Sequence, residues 1–398
     1  MMKDNFLFIS KLYPESLISE FLQNSKIGLD FAAHNLSQAI RTGFQENNYE
    51  IDVINTPQLG SWPKFYKTPL VSQYEDEHLI SVPYLNIMYF KRSSLERQVY
   101  KKIKQWCQSH SGIKRILLYN FNYIGVAKKI KRVFPDVKFC MIVTDLPEYM
   151  ATKNNLLTSI INKTNHLQDK DKSYQYDAID GLILLAKDMI EKLPITGKPW
   201  IQIEGIYNNE NECEIVEKDS LKVIMYTGNL GARYGIMDLL KAFMRINDSN
   251  YRLWIRGNGE CEALVKEYSC TDNRIKYFDK MSRKELQTMQ QKATLLVNPV
   301  HSSEIFTRYF FPSKTLEYLA SGTPTLMSHL QCIPHEYDDY LYYFNDESIE
   351  GMKNRMVEIC EKPQFELYEF GRRASTFIKN TKTPKPQIKK VIEFLRQL

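Results

Sequence analysis

The sequence predicts an α/β protein built as two doubly wound domains facing a cleft. Three observations carry this. The chain has 398 residues, too many for one ordinary core and enough for two domains of roughly 150–200 residues each. Short apolar runs of strand length alternate with amphipathic stretches of helical period, the pattern of parallel sheets covered by helices. A polar, acidic segment at 208–219 interrupts the alternation midway, after which the same succession begins again.

In the first half, residues 6–9 read as a buried strand. Residues 30–45 follow as a helix with Phe31, Leu36, Ala39, Ile40 and Phe44 on one side. Further strands are expected at 51–54, 115–119, 138–144 and 181–185, with helices at 95–108 and 124–134. In the second half, strands are expected at 222–226, 252–255, 275–278, 294–297 and 325–327. Helices are expected at 236–246, 260–268, 283–292 and 313–320, and a largely helical tail at 348–398 is broken near Thr383-Pro384-Lys385-Pro386. The expected division is a first domain over 1–207, a linker over 208–220, a second domain over 221–380 and a last helix over 381–398.

Composition narrows the class. Hydrophobic residues make up 43% and charged residues 25%, enough apolar material for two cores in a soluble chain. A net charge of +6 permits a basic face, but zinc-ligand spacing and aromatic RNA-binding motifs are missing, so no nucleic-acid partner is expected. Cysteines 107, 140, 213, 261, 270, 332 and 360 are scattered, which reads as reduced and cytosolic. The apolar run after the N-terminus is too short for a signal sequence, and no stretch nears the ~18–20 apolar residues of a membrane span. Any membrane contact is therefore expected to be peripheral.

Ligands in such sheets sit beyond the carboxyl ends of the strands, which selects three loops of the second half. The first, Thr227-Gly228-Asn229-Leu230-Gly231-Ala232-Arg233, brings glycines and an arginine to a helix start. There, backbone N–H groups and a guanidinium suit phosphate, although an ordinary turn with a solvated Arg233 has the same appearance. The second, Arg256-Gly257-Asn258-Gly259, could pack against a base but by itself reads more readily as a glycine-rich turn. The third, Phe311-Pro312-Ser313-Lys314-Thr315-Leu316-Glu317, opens a helix with Ser313 as its expected N-cap. Lys314 in the first turn opposes the helix dipole, a placement that makes sense beside a bound anion. Glu317 shares its face, so the pair reads either as diphosphate and ribose ligands or as an i,i+3 surface ion pair.

Taken together, these segments resemble glycosyltransferase family four, specifically its bacterial capsule and exopolysaccharide branch. The resemblance rests on Tyr226 through Leu230, Leu253 through Gly259, Asn298-Pro299, Phe311 through Pro324 and Ile333-Pro334-His335-Glu336-Tyr337. It is looser in the first half, through Thr144-Asp145-Leu146-Pro147-Glu148-Tyr149-Met150 and 181–186. It implies the GT-B fold of two Rossmann-like domains, with C-terminal helices packing back toward the first. It also implies a retaining, metal-independent and cofactor-free hexosyltransferase using a nucleotide-sugar donor, UDP-linked, and a saccharide acceptor that is lipid-linked. Glu317 would bind the ribose, Lys314 and Arg233 would neutralise the departing diphosphate, and Gly228, Asn229, Gly231, Gly257 and Ser313 would complete the donor site. On the acceptor side, Gly28 and Asp30 would line the cleft, and Asp145 would position or deprotonate the acceptor hydroxyl, or else merely cap a loop.

The sequence departs from that branch at Tyr309, Val300, Cys332 and His335, where an acidic residue, an arginine, a glycine and an acidic residue are respectively expected. Glu304 and Arg308 lie near enough in sequence to compensate. The departures keep open a non-catalytic partner or regulator of an active transferase, and, further off, an epimerase or phosphorylase of the same shape. Lys101, Lys102 and Lys104, with Lys128, Lys129, Lys131 and Arg132, form basic runs. The second run interleaves Ile124, Val126, Ile130 and Val133 and reads either as a core helix or as a surface for anionic membrane.

Overall fold

A computed structural model describes residues 4–146, 173–195, 197–208 and 217–398. Residues 147–150 of the resemblance, most of the acidic segment and Cys213 lie outside the described residues. The chain divides into two compact units, residues 1–208 with 384–398, and residues 209–383.

The first unit carries strands β1 (Asp4–Ser10), β2 (Ile51–Asn55), β3 (Leu70–Val71), β4 (Tyr74–Asp76), β5 (Leu79–Ser81), β6 (Tyr84–Leu85), β7 (Ile113–Tyr119), β8 (Lys138–Val143), β9 (Gly181–Leu184) and β10 (Trp200–Gln202). Its helices are α1 (Glu15–Asn24), α2 (Phe31–Glu46), α3 (Lys91–Ser109) and α4 (Ile124–Lys131). The sheet order is β10-β9-β8-β7-β1-β2-β5-β4, parallel except for β4 against β5, and β3 pairs with β6 in a separate ribbon. Strands covered on both faces must be apolar throughout, and Phe6, Leu7, Phe8 and Ile9 of β1 are all buried.

The second unit carries β11 (Lys222–Asn229), α5 (Ile236–Met244), β12 (Tyr251–Asn258), α6 (Glu262–Thr271), β13 (Ile275–Phe278), α7 (Arg283–Lys292), β14 (Leu295–Asn298), α8 (Lys314–Ala320), β15 (Thr325–Met327), β16 (Tyr342–Tyr343), α9 (Ile349–Cys360) and α10 (Gln364–Thr381). Its order, β13-β12-β11-β14-β15-β16, is all parallel and runs third, second, first, fourth, fifth, sixth. This is the dinucleotide-binding order, whose winding reverses between the first and fourth strands. In the first unit the same reversal falls between β1 and β7. Both units are thus Rossmann-like.

The last helix, α11 (Pro384–Gln397), belongs to the first unit. Its proline sits in the first turn, where a missing N–H costs nothing, so the proline-rich break of the sequence is a restart. Ile388, Val391, Ile392, Phe394 and Leu395 join Phe6, Phe8 and Phe44 in one core. Gly43 permits the close approach of α2, since a Cβ there would stand 2.3 Å from Ile388.

Two expectations change. The glycine segment read as a loop from Thr227 is still strand as far as Asn229, pairing Gly228 with Gly257 and Asn229 with Asn258. Helix α4 buries Ile124, Val126, Ala127 and Ile130 in the unit's own core, so its apolar stripe is not available to a bilayer. Among the described residues no helix is long and apolar enough to cross a membrane.

Candidate functional site

The reversal point of the second unit lies between β11 and β14, and the residues beyond these strands converge there. Tyr226, buried in β11, donates its hydroxyl to the Asn229 carbonyl (2.6 Å). Its ring lies under the Lys314 ammonium, with Nζ 4.1 Å from the centroid. A Cβ on Gly228, whose φ is +139°, would stand 3.2 Å from that same Nζ. Helix α8 is locked to the strand end by Tyr318, which accepts from the Thr227 N–H (2.7 Å) and donates to the Thr227 carbonyl (3.1 Å).

Lys314 is the residue that decides the character of the site. Its Nζ is out of contact with solvent and has no hydrogen-bond partner among the described residues, although part of its stem is exposed. Burial lowers its pKa to about 7, with Glu317 pulling weakly the other way. The surface ion pair left open by the sequence is therefore not what forms. Burial raises the Glu317 carboxyl above its ordinary range, while Arg283 and Lys314 hold it down. An unpaired buried ammonium is costly unless something anionic arrives to pair with it.

Lys314 opens onto a cavity of 210 Å³ whose lining includes Gly228, Asn229, Tyr234, Val300, Phe306 and Ser313. Ser313 stands before α8 with helical angles (φ −52°, ψ −30°) and makes no side-chain cap. The expected N-cap bond is thus absent, which leaves the hydroxyl on the cavity. Arg233 is exposed, lies 4.8 Å over the Phe306 ring and donates to the Tyr234 hydroxyl (3.0 Å).

The glycine segment contributes less backbone than its sequence suggests. The Gly231 N–H goes to Asn229 Oδ1 (2.7 Å), the Ala232 N–H to Glu260 Oε1 (2.7 Å) and the Leu230 N–H to the Asn258 carbonyl (2.8 Å). Gly257 is buried inside β12, where a Cβ would stand 1.8 Å from the Gly228 carbonyl oxygen. It sets the approach of β12 to β11 and is not among the residues lining the cavity. Sequence reasoning missed Tyr226 as the platform under Lys314 and Phe306 as the wall beside Arg233. Phe306 and Phe310, four residues apart beyond Asn298-Pro299, were the available signal.

Of the departures, Val300 faces the cavity, Cys332 and Tyr309 are buried, and His335 is exposed beside Asp338. In the first unit, Asp30 caps α2 by accepting from the Ala32 N–H (3.1 Å) and takes a bond from Gln58 (3.0 Å). Gly28 adopts φ +80° in an exposed turn. Asp145, beyond β8, has its pKa raised chiefly by burial and also by Asp30, against a hydrogen bond from Thr144.

Two Rossmann-like units in one chain are the architecture known as GT-B. Residues 221–362 match the family described as Glycosyl transferases group 1, so the second unit carries a glycosyltransferase domain. Solved structures of low identity share the fold over the whole chain. Sucrose-phosphate synthase from Thermosynechococcus elongatus aligns with TM-score 0.65 at 12% identity, covering 99% of each chain. An α,α-trehalose-phosphate synthase (UDP-forming) from Burkholderia xenovorans, in complex with glucose-6-phosphate, aligns with TM-score 0.63 at 11% identity, covering 99% of this chain and 100% of the other. The pneumococcal O-GlcNAc transferase, in complex with UDP and GlcNAc, aligns with TM-score 0.57 at 10% identity, covering 100% and 99%. Comparison with curated protein sequences gives no match.

Proposed function

We propose that the protein is a retaining, metal-independent glycosyltransferase that moves a sugar from a UDP-linked donor, bound in the second unit, to a lipid-linked saccharide in bacterial surface-polysaccharide assembly. One observation carries the donor site: the buried Lys314 ammonium, unpartnered among the described residues, at the head of a cavity beside Gly228. A diphosphate seated there supplies the missing counter-charge. As the bond to the sugar breaks, negative charge grows on that diphosphate, and Lys314 with Arg233 stabilises it in the role a metal takes elsewhere. Glu317, one turn along α8, accepts from the ribose hydroxyls. The UDP named with two of the structural neighbours supports the choice of base. The acceptor enters from the first unit, where Asp145 and Asp30 interact electrostatically. The polysaccharide role and the lipid-linked acceptor rest on the sequence resemblance. Any membrane contact is electrostatic, through exposed Lys101, Lys129 and Arg132, because α4 keeps its apolar side inside.

A second reading, a nucleotide-binding partner without transferase activity, draws on Val300, which lines the cavity with no polar group. One series of titrations separates them. UDP, GDP, ADP and their sugars are measured calorimetrically with and without magnesium, followed by Glu317→Ala. The transferase reading expects UDP binding without magnesium, weakened by about 1.5–3 kcal/mol in the variant, the scale of hydrogen bonds to a charged group. Unchanged affinity removes Glu317 from the site. UDP binding with neither donor hydrolysis nor transfer favours the partner reading.

A further inference from the structure

The first unit holds a second buried cation problem, remote in sequence from Lys314. Its winding reverses between β1 and β7, and such a reversal opens a crevice at the carboxyl ends of the strands. Lys11 is the first residue beyond the end of β1 and is only 6% exposed. Among the described residues its ammonium pairs with no carboxylate and no hydrogen-bond acceptor, and its contact is the face of Tyr123, 5.6 Å from the centroid. Lys91, the first residue of α3, lies close enough to repel it. The Lys91 ammonium donates to the Leu59 carbonyl and lies 5.9 Å from the Tyr84 centroid. The surroundings are aromatic: Tyr84 and, within its electrostatic reach, Tyr13, Tyr66 and Tyr123 are each no more than 2% exposed. Tyr13 and Tyr84 turn their hydroxyls to the Gln58 and Pro57 carbonyls, so they supply no counter-ion.

Two like charges drawn together in a low-dielectric environment, with no acid beside either among the described residues, destabilise the protein. Burial, with Lys91, lowers Lys11 to about 8, and burial lowers Lys91 to about 8, so both remain largely charged at neutral pH. Two ammonium groups match a dianion, and phosphate esters are close to that charge near pH 7. Lysine recognises phosphate as a compact point charge without demanding a planar partner.

We infer that Lys11 and Lys91 form a second anion site, at the β1–β7 reversal of the first unit, which takes a phosphate group carried by the acceptor. The acceptor role rests on the transferase reading above, whereas the anion site itself does not. A free phosphate acting as an effector would satisfy the same chemistry, so the test must separate the two sources.

Inorganic phosphate is titrated calorimetrically into the full chain bearing Lys314→Met, which removes the unpartnered ammonium of the second unit, and into the same protein with Lys11→Met added. The second variant should bind phosphate weaker by about tenfold or more, the scale of a lost charged hydrogen bond. Equal binding overturns the site. Lys11→Met alone should leave UDP affinity within about two-fold, because every residue assigned to the donor site belongs to the other unit. Because it removes an unpaired buried charge, it should melt at or above the wild-type temperature without phosphate. Should it fail to fold, Lys91→Gln at a half-buried position carries the same comparison. If the wild type binds no UDP while phosphate binding still depends on Lys11, the transferase reading fails and the anion site stands. In transfer assays, phosphate that raises the acceptor KM at constant kcat supports the acceptor role. Phosphate that alters kcat at constant acceptor KM assigns an effector and overturns that role.

Discussion

Lys314 combines two properties that rarely coexist in a residue kept for stability: its ammonium is buried, and nothing among the described residues satisfies it. Its folded pKa of about 7 lies below the ~10.4 of an unfolded lysine. Between those values the unfolded chain binds more protons, so this group's contribution to stability rises with pH across that window. At and below pH 7 the penalty is present in full. Lys314→Met should therefore melt at or above the wild-type temperature near pH 6–7, with the difference closing toward about pH 10. The same substitution should weaken UDP binding by about tenfold or more. Wild-type affinity should itself fall as pH rises from 7 to 9, with proton uptake on binding, because the diphosphate selects the ammonium form. A lowered melting temperature at pH 7 with unchanged UDP affinity and no pH slope would make Lys314 a structural lysine.

At the scale of elements, the site depends on two strands lying unusually close. Gly228 and Gly257 are register partners in β11 and β12, and a Cβ on Gly257 would stand 1.8 Å from the Gly228 carbonyl oxygen. Gly257→Ala should cost about 1–3 kcal/mol in urea unfolding, the usual price of forced overpacking, and should displace Gly228 from Lys314. Gly231 has φ −73°, open to any residue, and its added Cβ would meet only the Asn229 and Tyr234 side chains, at 3.0 and 3.2 Å, so Gly231→Ala should cost less than Gly257→Ala, where the obstacle is backbone. Glycine is a punctuation mark in sequence, which is why Thr227 to Asn229 read as loop. The strand continues there because glycine permits both the pairing and the close approach. The buried strands of the second unit were legible to within a few residues, since unbroken runs such as Leu295-Leu296-Val297 have no other use. Helix α1 and the β3–β6 ribbon were not legible, because Leu70 and Leu85 are exposed and α1 buries only Phe21. Lys314 and Glu317 were readable as a candidate pair from helix spacing alone. The aromatic wall was not, because Phe306 sits in a short 3-10 segment, Ile305–Tyr309, where no periodicity marks an inward face.

At the scale of the molecule, chain order and structural unit part company at Thr383. The last fifteen residues follow the second unit in sequence yet belong to the first. Helix α11 supplies five side chains to that core, Ile388, Val391, Ile392, Phe394 and Leu395, all at most 5% exposed. At about 1.5–3 kcal/mol for each buried side chain, their sum rivals the ~5–15 kcal/mol that a whole domain has to spare. The helix also completes a buried charge. Arg115, 5% exposed, donates to the Leu395 and Arg396 carbonyls as well as to Asp4, and Arg396 pairs with Asp4 at 2.8 Å. Ending the chain after Thr383 should therefore leave Arg115 with a single partner and the α2 groove at Gly43 uncovered. We expect hydrogen exchange of β1, β2 and β7 amides to lose its protection in the shortened chain. Protection of β11, β12 and β14, together with UDP affinity, should persist, because every residue assigned to the donor site lies within 209–383. Retained protection in β1 would mean that α11 only covers the first unit. Loss of protection in both sheets would mean that the second unit depends on the first for its stability, and the donor site could then not be treated as the property of one unit.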